Sequence, residues 1–595
     1  MDAKKEIRGA LTTVLDGLGF LNIEIELEQA GDLRNGDYSS VIAKKILASE
    51  RKTKRNELEE TGFFSKDEIK NVSTIAKLPS RNPDELAQII VGKLGQVPGI
   101  SKIEAVSGFI NFHLEKEVFA AMLQEIISDP TSWGRNDLHE AERIMVEYTD
   151  PNPFKEFHIG HLVPNALGES TARLFEFASA EVKRANYQGD VGIHVAKSLF
   201  ILLEKGITDP TIADLSTAYP EGSTRYEEDP EAKQAIDALN KKIYDNLSGQ
   251  ESDDTVNALY EKGRALSLAH FEEIYKTLGT KFDYYFFESA TGPRGLEVVR
   301  AHPDIFEESE GAIVFKGEQY GLHTRVFVNK FGLPTYEAKD LRLAEIKRET
   351  YPFDLTLTVT GNEQGEYFKG VKKAMEMALP DLAGKIAYKT NGMLRFAEGK
   401  MSSRTGNIVR GEDLIDDLTD VAAARAKESR ADDPAQLAQE IAVAAIKYQI
   451  LKQGFGKDII FDRERALSLE GDSGPYVQYT YARATQVVAR AANEGIKPSV
   501  DANAAAIDLV RLMHRFPVAV ERAAALLEPH LVANFLIEFA ASFNRWYAEV
   551  RIVDGSTSSP QAATDTAHRV AITEAARITL KNGLYLLGIP APEKM

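Results

Sequence analysis

The stretch of residues 146–161 constrains the fold of this chain more than any other part of the sequence. It follows a short apolar run, residues 144–146, that has the length of a buried strand and is too brief for a helix. Pro151 and Pro153 end this strand, because proline cannot donate a ladder hydrogen bond. After His161, apolar residues recur at helical spacing. The sequence therefore predicts a strand followed by an amphipathic helix that starts at His-Ile-Gly-His.

This His-Ile-Gly-His sequence brings two imidazoles to the start of the predicted helix. Unpaired backbone N–H groups and the positive end of the helix dipole gather there, which suits a phosphate. His158 and His161 stand three residues apart and can face the same group, while Gly160 lets a flat nucleotide approach the backbone. We predict a nucleotide site. The alternative is a pair of histidines that only cap the helix or coordinate a metal.

A second polar stretch, residues 399–407, reads Gly-Lys-Met-Ser-Ser-Arg-Thr-Gly-Asn. Its two cations and three hydroxyls could close over phosphates, although solvated turns often have the same composition. Together with His-Ile-Gly-His, this stretch resembles the paired signatures of class I aminoacyl-tRNA synthetases. The residues around both signatures resemble the arginyl-tRNA synthetase family, and the resemblance spans essentially the whole chain.

The composition is that of a globular protein with several domains. Hydrophobic residues make up 43% of the 595 positions, and the length suggests roughly three to five domains. Cysteine is absent, which excludes disulfides, thiolate zinc sites and a cysteine nucleophile. No apolar run approaches the ~20 residues of a membrane span, and the first residues do not form a secretory signal. We therefore expect a soluble, cytoplasmic protein that does not bind membranes.

The net charge of −19 weighs at first sight against a nucleic-acid partner. From Gly474 to the C-terminus, however, 12 Lys and Arg face 11 Asp and Glu, whereas the preceding residues hold 59 basic and 79 acidic side chains. A local basic face matters more for phosphate binding than the overall sum. The charge pattern is thus compatible with RNA binding but does not support it.

Strand and helix patterns alternate from about residue 120 to 470, which predicts a parallel sheet with helices on both faces. Ligands of such sheets lie at the carboxyl ends of the strands, where His158 falls. The predicted fold class is α/β, with a Rossmann-like parallel-sheet catalytic domain, a small α/β N-terminal domain and an all-α C-terminal helical bundle. The predicted domains are 1–117 (N-terminal), 118–470 (catalytic, with an insertion at about 206–280 whose acidic, proline-punctuated part is 206–258) and 471–595 (helical).

The resemblance implies ATP-dependent ligation of L-arginine to tRNA(Arg) through an arginyl-adenylate, with release of AMP and pyrophosphate. ATP would bind as its Mg²⁺ complex, with no organic cofactor, no zinc and no metal held by protein side chains. The resemblance also implies transfer to the 2′-OH of the terminal adenosine, arginine activation that needs bound tRNA, and an N-terminal domain that touches the tRNA corner near the D-loop. We expect a monomer.

Four positions carry over from the family as catalytic groups: His158, His161, Lys155 and Lys400. The ATP-binding set is His158, Gly160, His161, Lys400, Met401, Ser402 and Ser403. The usual Lys-Met-Ser-Lys-Ser loop has a second lysine where this chain has Ser403, and losing that cation should cost several kcal/mol. Lys155 is placed to supply this cation instead, a replacement that is typical of the family. Arg404 would have only an auxiliary role. The alternative is that Lys155 is an ordinary exposed loop lysine.

The family's arginine pocket falls on Glu147, Asn152, Tyr336, Asp340 and Gln364. The two carboxylates would bind the guanidinium in fork geometry. Asn152 and Gln364 would fix the α-ammonium and carboxylate, and Tyr336 would pack over the side chain. Alternatives remain open: Asp340 as a helix cap, Tyr336 as core, and Glu147 paired with a local arginine. The segment 186–192 also resembles the family and is expected to be a sheet-end loop near the substrates.

The helical C-terminal region supplies candidates for contact with tRNA. The tRNA-binding set is Tyr476, Gln478, Tyr479, Arg483 and Trp546, with Tyr481, Arg490, Tyr547 and Arg551 as further candidates for base stacking or phosphate contact. Aromatic residues at helical spacing are equally compatible with a core. Two other functions stay open: a different class I synthetase or nucleotidyltransferase, and an inactive synthetase-like protein that only binds RNA. The paired carboxylates and Lys155 weigh against the former, and the intact cationic groups against the latter.

Overall fold

The computed structural model describes residues 3–21, 23–49, 79–249, 253–397, 409–429, 431–553 and 560–595. These residues form two compact units. The smaller unit comprises Met1–Trp133, Val487–Phe516 and Ser542–Ile578, and the larger comprises Gly134–Gln486, Pro517–Ala541 and Thr579–Met595. The predicted ATP-binding residues Lys400, Met401, Ser402 and Ser403 lie outside the described residues.

A five-stranded parallel sheet forms the centre of the larger unit and confirms the predicted α/β fold. Its strands lie in the order Ile386–Asn391, Leu355–Gly361, Arg143–Glu147, Glu181–Gln188 and Tyr284–Phe287. The chain leaves the central strand, Arg143–Glu147, toward one edge of the sheet and returns later to its other side. The strand order therefore reverses beside Glu147, the position where open α/β sheets bind ligands.

The helix Ile159–Phe177 follows the central strand, as predicted, but it is not amphipathic. Fourteen of its nineteen residues are buried, because neighbouring elements cover it on several sides. Gly168 permits one of these contacts, since a Cβ at this position would lie 2.2 Å from Cγ of Tyr148. This central packing fixes the start of the helix, where the two histidines lie.

The predicted acidic insertion is more regular than its prolines suggested. Asp229 caps the helix Pro230–Ser248 and Pro230 occupies its first turn, as predicted, but Pro220 lies inside a helix, Ile212–Glu228. Buried residues of this region share a core with the helix Ile193–Glu204. Four helices lie in the sequence between the strands Glu181–Gln188 and Tyr284–Phe287, and they are Ile193–Glu204, Ile212–Glu228, Pro230–Ser248 and Asp254–Leu278.

Further helices and two small sheets complete the larger unit. The helices are Glu288–Ala301, Tyr336–Thr350, Gly365–Ala378, Gly411–Ala426, Pro434–Leu451 and Arg463–Ala466. The strands Glu307–Ser309, Ala312–Phe315 and Arg325–Val328 form an antiparallel sheet, and Leu394–Phe396 pairs in parallel with Ile459–Phe461. Asp433 caps the helix Pro434–Leu451, with its side chain accepting the N–H groups of the first turn.

The smaller unit contains the predicted N-terminal α/β fold. Its antiparallel strands lie in the order Glu28–Gln29, Tyr38–Ser40, Phe109–Leu114 and Ile100–Val106, and its helices are Ala3–Gly17, 42–49, Pro83–Lys93, Lys116–Ser128 and Asp508–Met513. Gly36 adopts a φ of 99° against the backbone of Phe112. Asp37 accepts hydrogen bonds from Leu114 N (2.9 Å) and from Arg511 Nε (2.8 Å). The Gly-Asp-Tyr sequence at 36–38 therefore stabilises this sheet.

The C-terminal region is helical, as predicted. Its long helices are Gly474–Asn493, Phe516–Leu526, His530–Glu549 and Pro560–Leu586. Breaks occur near Pro498 and Pro529, whereas Pro517 lies in the first turn of a helix, where its missing N–H costs no hydrogen bond. Within the described ranges, no helix is long and apolar enough to cross a membrane.

Candidate active site

The two histidines cap the helix that follows the central strand. Nδ1 of His158 accepts the N–H of Gly160 (3.1 Å), and Nδ1 of His161 accepts the N–H of His158 (3.2 Å). The rings stack with centroids 3.9 Å apart. Because both Nδ1 atoms accept hydrogen bonds, each neutral imidazole carries its proton on Nε2 and can donate it to a ligand. The histidines thus cap the helix through their Nδ1 atoms, as the alternative proposed, and both Nε2–H groups can still donate to phosphate oxygens.

Burial keeps both imidazoles uncharged. It lowers the pKa of His158, and the Lys155 ammonium lowers it further. Burial lowers the pKa of His161 more strongly, with added effects from His158 and Lys155. Among the described residues, no group of three or more His, Cys, Asp or Glu side chains could hold a metal ion. The pair is therefore suited to donate hydrogen bonds as neutral groups.

The segment that leaves the predicted phosphate loop is bonded directly to the histidine turn. Ile159 donates its N–H to the carbonyl of Val409 (3.1 Å), and Gly411 donates to the carbonyl of Phe157 (2.7 Å). His158 and Arg410 form the antiparallel bridge between these two bonds. Residues 409–411, which follow the predicted phosphate loop in the sequence, consequently lie beside the histidines.

Lys155 lies in the turn before His158 and is half-buried rather than fully exposed. Its Nζ lies 5.0 Å from the ring centroid of Tyr219. Its charge lowers the pKa of both histidines. This position favours the replacement role over that of an ordinary loop lysine.

The backbone between the strand and the helix is strained. Thr149, Asp150 and Phe154 have φ values of 81°, 47° and 66°, a left-handed conformation that non-glycine residues rarely adopt. Such residues cost about 1–3 kcal/mol each and cluster at functional sites. Packing offsets the strain, since Phe154 is buried and Asp150 Oδ1 accepts the N–H of Tyr187 (2.8 Å). The turn is therefore held rigidly in an unfavourable shape.

A cavity of about 390 Å³ opens where the strand order reverses. Glu147 and Asp340 both line it, as predicted for a shared pocket, together with the predicted Tyr336 and Gln364. Glu147 is 3% exposed, accepts a hydrogen bond from Thr358 Oγ1 (3.0 Å) and pairs with Lys347 Nζ at 2.5 Å. Its partner is therefore a lysine, not the local arginine that sequence left open.

Asp340 lies inside a helix and does not cap it. Its Oδ2 accepts a hydrogen bond from the hydroxyl of Tyr367 (2.7 Å). Burial raises the pKa of Asp340 to about 7, with the Tyr367 hydrogen bond lowering it and the charge of Glu147 raising it. Burial and Glu147 also raise the pKa of Asp150 well above its usual range. The cavity thus brings together carboxylates whose repulsion adds to the effect of burial on the pKa values of Asp150 and Asp340. Such a site suits a positively charged ligand.

Two of the other predicted pocket residues, Tyr336 and Gln364, line the cavity, and Asn152 does not. Tyr336 is 60% exposed and is therefore not a core residue. Gln364 is exposed on the short helix Asn362–Gln364. The Oδ1 atom of Asn152 lies against Gly189, where a Cβ would be only 2.3 Å away. Amides and an aromatic face around a buried acidic base fit an amino acid whose side chain enters first.

Several cavity residues were not predicted individually. Tyr187 belongs to the segment 186–192 that was expected near the substrates, and it lines the cavity wall from the end of the strand Glu181–Gln188. Lys347 lies seven residues after Asp340, and this two-turn spacing on one helix face was a usable signal. Thr356, Thr358 and Thr360 also line the cavity, and their alternation in a buried strand was another. Asp150 gave no separate signal, because its contribution depends on tertiary burial.

The predicted tRNA-binding residues are not equally accessible. Gln478 is fully buried and donates to the carbonyls of Glu440 (3.2 Å) and Pro590 (2.9 Å), so its side chain serves the interior, and Tyr481 is fully buried too. Trp546 packs partly against a small apolar cluster. Tyr476, Tyr479 and Arg483 are half-buried, whereas Arg490, Tyr547 and Arg551 are exposed. Core packing thus accounts for Gln478 and Tyr481, and the others keep accessible surface.

A parallel sheet with paired histidines at the helix after its central strand defines the catalytic domain of class I aminoacyl-tRNA synthetases. The family described as tRNA synthetases class I (R), catalytic domain, matches residues 122–463. The Arginyl tRNA synthetase N terminal domain matches residues 1–114, and the DALR anticodon binding domain matches residues 477–595. The chain belongs to the arginyl-tRNA synthetase family, whose members use ATP to attach arginine to tRNA.

Individual relatives agree with this assignment. The chain is 30% identical over 531 residues to the arginine–tRNA ligase of Clostridium acetobutylicum, covering 87% of this chain and 92% of that one. It is 28% identical over 609 residues to the arginine–tRNA ligase of Limosilactobacillus reuteri, covering 100% of both. The solved arginyl-tRNA synthetase of Thermus thermophilus shares the fold with a TM-score of 0.76 at 24% identity, covering 100% of both chains.

Proposed function

We propose that this chain activates L-arginine with ATP and transfers it to tRNA(Arg), with the arginine side chain in the carboxylate-lined cavity. The observation that carries this proposal is that Glu147, which is buried, and Asp340, which is half-buried, line the same cavity beside the strand-order reversal. A guanidinium offers five donors in a planar fork and stays charged at any physiological pH. It can therefore donate hydrogen bonds to both carboxylates at once, and its charge offsets the effect of Glu147 on Asp340.

The remaining pocket residues bind the amino-acid end of the substrate. Tyr336 covers the aliphatic part of the side chain, and Gln364 and Asn152 hold the α-ammonium and carboxylate. Asn152 Oδ1 lies against Gly189, so the strand-end backbone fixes this side chain. This arrangement leaves one carboxylate oxygen of arginine directed toward the histidine turn.

In the first step, that oxygen attacks the α-phosphorus of ATP. The bond from the α-phosphorus to the bridging oxygen breaks, and pyrophosphate leaves with the electron pair. His158 and His161 donate Nε2–H bonds to the phosphate oxygens, Gly160 allows the nucleotide to approach, and Lys155 supplies positive charge. Stabilising developing charge with fixed donors is the main catalytic requirement of phosphoryl chemistry.

The loop after residue 397 completes the ATP site. Lys400, Met401, Ser402 and Ser403 contact the β- and γ-phosphates of the MgATP substrate complex. The backbone bonds between Val409–Gly411 and Phe157–Ile159 support this role, because they place the residues that follow the loop in the sequence beside the histidines. In the second step, the 2′-OH of the terminal adenosine attacks the activated carbonyl and AMP leaves.

The rest of the chain binds and orients the tRNA. Domain boundaries of 1–117, 118–470 and 471–595 separate the part that contacts the D-loop corner, the catalytic part and the anticodon-binding part. Accessible side chains that contact the tRNA in the last part are Tyr476, Tyr479, Arg483 and Trp546. We further propose that the protein acts as a cytoplasmic monomer.

The decisive experiment is ATP–pyrophosphate exchange with each of the twenty amino acids, with and without tRNA(Arg). We expect exchange with arginine only and strong stimulation by tRNA. Lys155→Ala should lower this exchange by at least about a hundredfold, the size expected when a charge-stabilising group is lost, while tRNA binding stays nearly intact. Exchange with another amino acid, or none with arginine, would reject the proposal.

A further inference from the structure

We propose that Tyr219, on the helix Ile212–Glu228, positions the ammonium of Lys155 for adenylate formation. The inference rests on the function proposed above for Lys155 and assigns a role to the inserted helical region. Lys155 Nζ lies 5.0 Å from the centroid of the Tyr219 ring, within the range of a cation–π contact. In the part of the chain that the structure describes, no carboxylate lies within ion-pair distance of this ammonium. The aromatic face is therefore its principal anchor.

Both partners extend from one apolar core. Phe154, which precedes Lys155, and Ala218, which precedes Tyr219, belong to the same buried cluster. Phe154 is 1% exposed, and its N–H donates to Ser267 Oγ at 3.0 Å. Because each partner is adjacent in sequence to a fully packed residue, the core fixes the backbone positions from which the ring and the lysine side chain extend. A chance encounter of two flexible surface side chains would have no such support.

The helix that carries Tyr219 is docked at close range. Gly222, three residues after Tyr219, lies on the backbone of Lys197, where a Cβ would be 2.3 Å from the carbonyl oxygen. Leu215 is buried one turn before Tyr219. The helix therefore contacts Ile193–Glu204 along a continuous face, and the ring cannot shift without breaking that contact.

The charge of Lys155 acts on the catalytic turn from this position. It lowers the pKa of His158 and His161, and it also contributes to the low pKa of His194, about 3, which results mainly from burial. An unrestrained lysine loses the conformational freedom of several rotatable bonds when it binds a phosphate. The ring restricts the ammonium near the histidines before ATP binds, so part of this ordering has already occurred. Tyr219 thus acts as a positioning residue and touches no reacting atom.

The test compares three variants of the full chain by arginine-dependent, tRNA-stimulated ATP–pyrophosphate exchange. Tyr219→Leu should lower kcat roughly three- to tenfold without changing the KM for arginine, because a cation–π contact of this exposure is lost. Tyr219→Phe keeps the aromatic face and should restore most of the rate. Tyr226→Leu is the matched control, since Tyr226 lies on the same helix and contacts Lys197 (4.6 Å) instead of Lys155. Its kcat should equal that of the unmodified protein.

A double-mutant cycle with Lys155→Ala separates this inference from the proposed function. If Tyr219 acts through Lys155, Tyr219→Leu should cause no further loss in the Lys155→Ala background. Additive losses, or equal losses in Tyr219→Leu and Tyr226→Leu, would overturn the positioning role and leave the role of Lys155 standing. An unchanged rate in Lys155→Ala alone would remove the premise. Equal thermal unfolding midpoints for the two leucine variants would confirm that stability is not the cause.

Discussion

Asp340 and Glu147 line the same cavity, at the point where the strand order of the sheet reverses. Glu147 pairs with the ammonium of Lys347, whereas Asp340 accepts a hydrogen bond from the hydroxyl of Tyr367. Burial and the charge of Glu147 raise the pKa of Asp340 to about 7, against the opposing hydrogen bond from Tyr367. A cation that binds in this cavity therefore favours the ionised form of Asp340. This arrangement links arginine recognition to pH.

Arginine affinity should fall as the pH drops through 7. The guanidinium stays charged throughout, so binding requires the ionised form of Asp340, which is depleted below a pKa of about 7. We expect the KM for arginine to rise up to about tenfold per pH unit below this value. Asp340→Asn should bind arginine weakly and without this pH dependence, as measured between pH 6 and 8.5. The same slope in that variant would assign the titration to another group.

The two roles of His158 can be separated by substitution. Asparagine is among the best helix N-caps, so His158→Asn should keep the unfolding midpoint, whereas His158→Ala should destabilise the helix start by about 0.5–2 kcal/mol. Both variants lack the Nε2–H donor and should lower adenylate formation by about 10²- to 10³-fold. Wild-type exchange by His158→Asn would show that this residue only caps the helix.

Lys347 should contribute more to the free energy of unfolding than an exposed lysine on a helix does. Lys347→Met leaves the buried Glu147 without its cation, a change that typically costs about 3–5 kcal/mol. Arginine should restore part of the lost unfolding midpoint, because its guanidinium replaces the missing charge. Lys316→Met is a suitable control, since its pair with Glu307 is about half exposed and should contribute at most about 1 kcal/mol. Equal losses in both variants would contradict this account.

A single methyl group at position 189 should disturb the amino-acid end of the pocket. In Gly189→Ala the new Cβ would lie 2.3 Å from Asn152 Oδ1, so the amide must move. Loss of one hydrogen bond to a charged α-ammonium, about 1.5–3 kcal/mol, should raise the KM for arginine at least about tenfold. Gly292→Ala is the control, because no atom lies within 4 Å of its Cβ. An unchanged KM in Gly189→Ala would remove Asn152 from the pocket.

The sequence predicted the site best where local signals were strong. Asn82 followed by Pro83 is a typical helix start, and the helix Pro83–Lys93 begins there, with Asn82 accepting the N–H of Asp84. The strand before residue 148 and the helix after His158 followed from apolar length and spacing in the same way. These features depend on residues that are neighbours in the sequence, so a single sequence is enough to predict them.

Features that depend on packing were not predictable in the same way. Pro220 suggested a break, but helix contacts on both sides keep it inside a helix. The antiparallel sheet of residues 307–328 was also missed, because its strands have only three or four residues each. The raised pKa of Asp340 depends on burial among groups distant in sequence. Such tertiary effects set the chemistry of the cavity, although the residues themselves could be chosen from the resemblance.

The most direct test of the central claim is a crystal structure with bound L-arginine. We predict a guanidinium inside the cavity with nitrogen atoms about 2.7–2.9 Å from oxygens of both Glu147 and Asp340, the distance of charge-assisted hydrogen bonds. The α-carboxylate should point toward His158 and His161. Arginine bound with its side chain outside the cavity, or with only one of the two carboxylates in contact, would contradict the proposed basis of recognition.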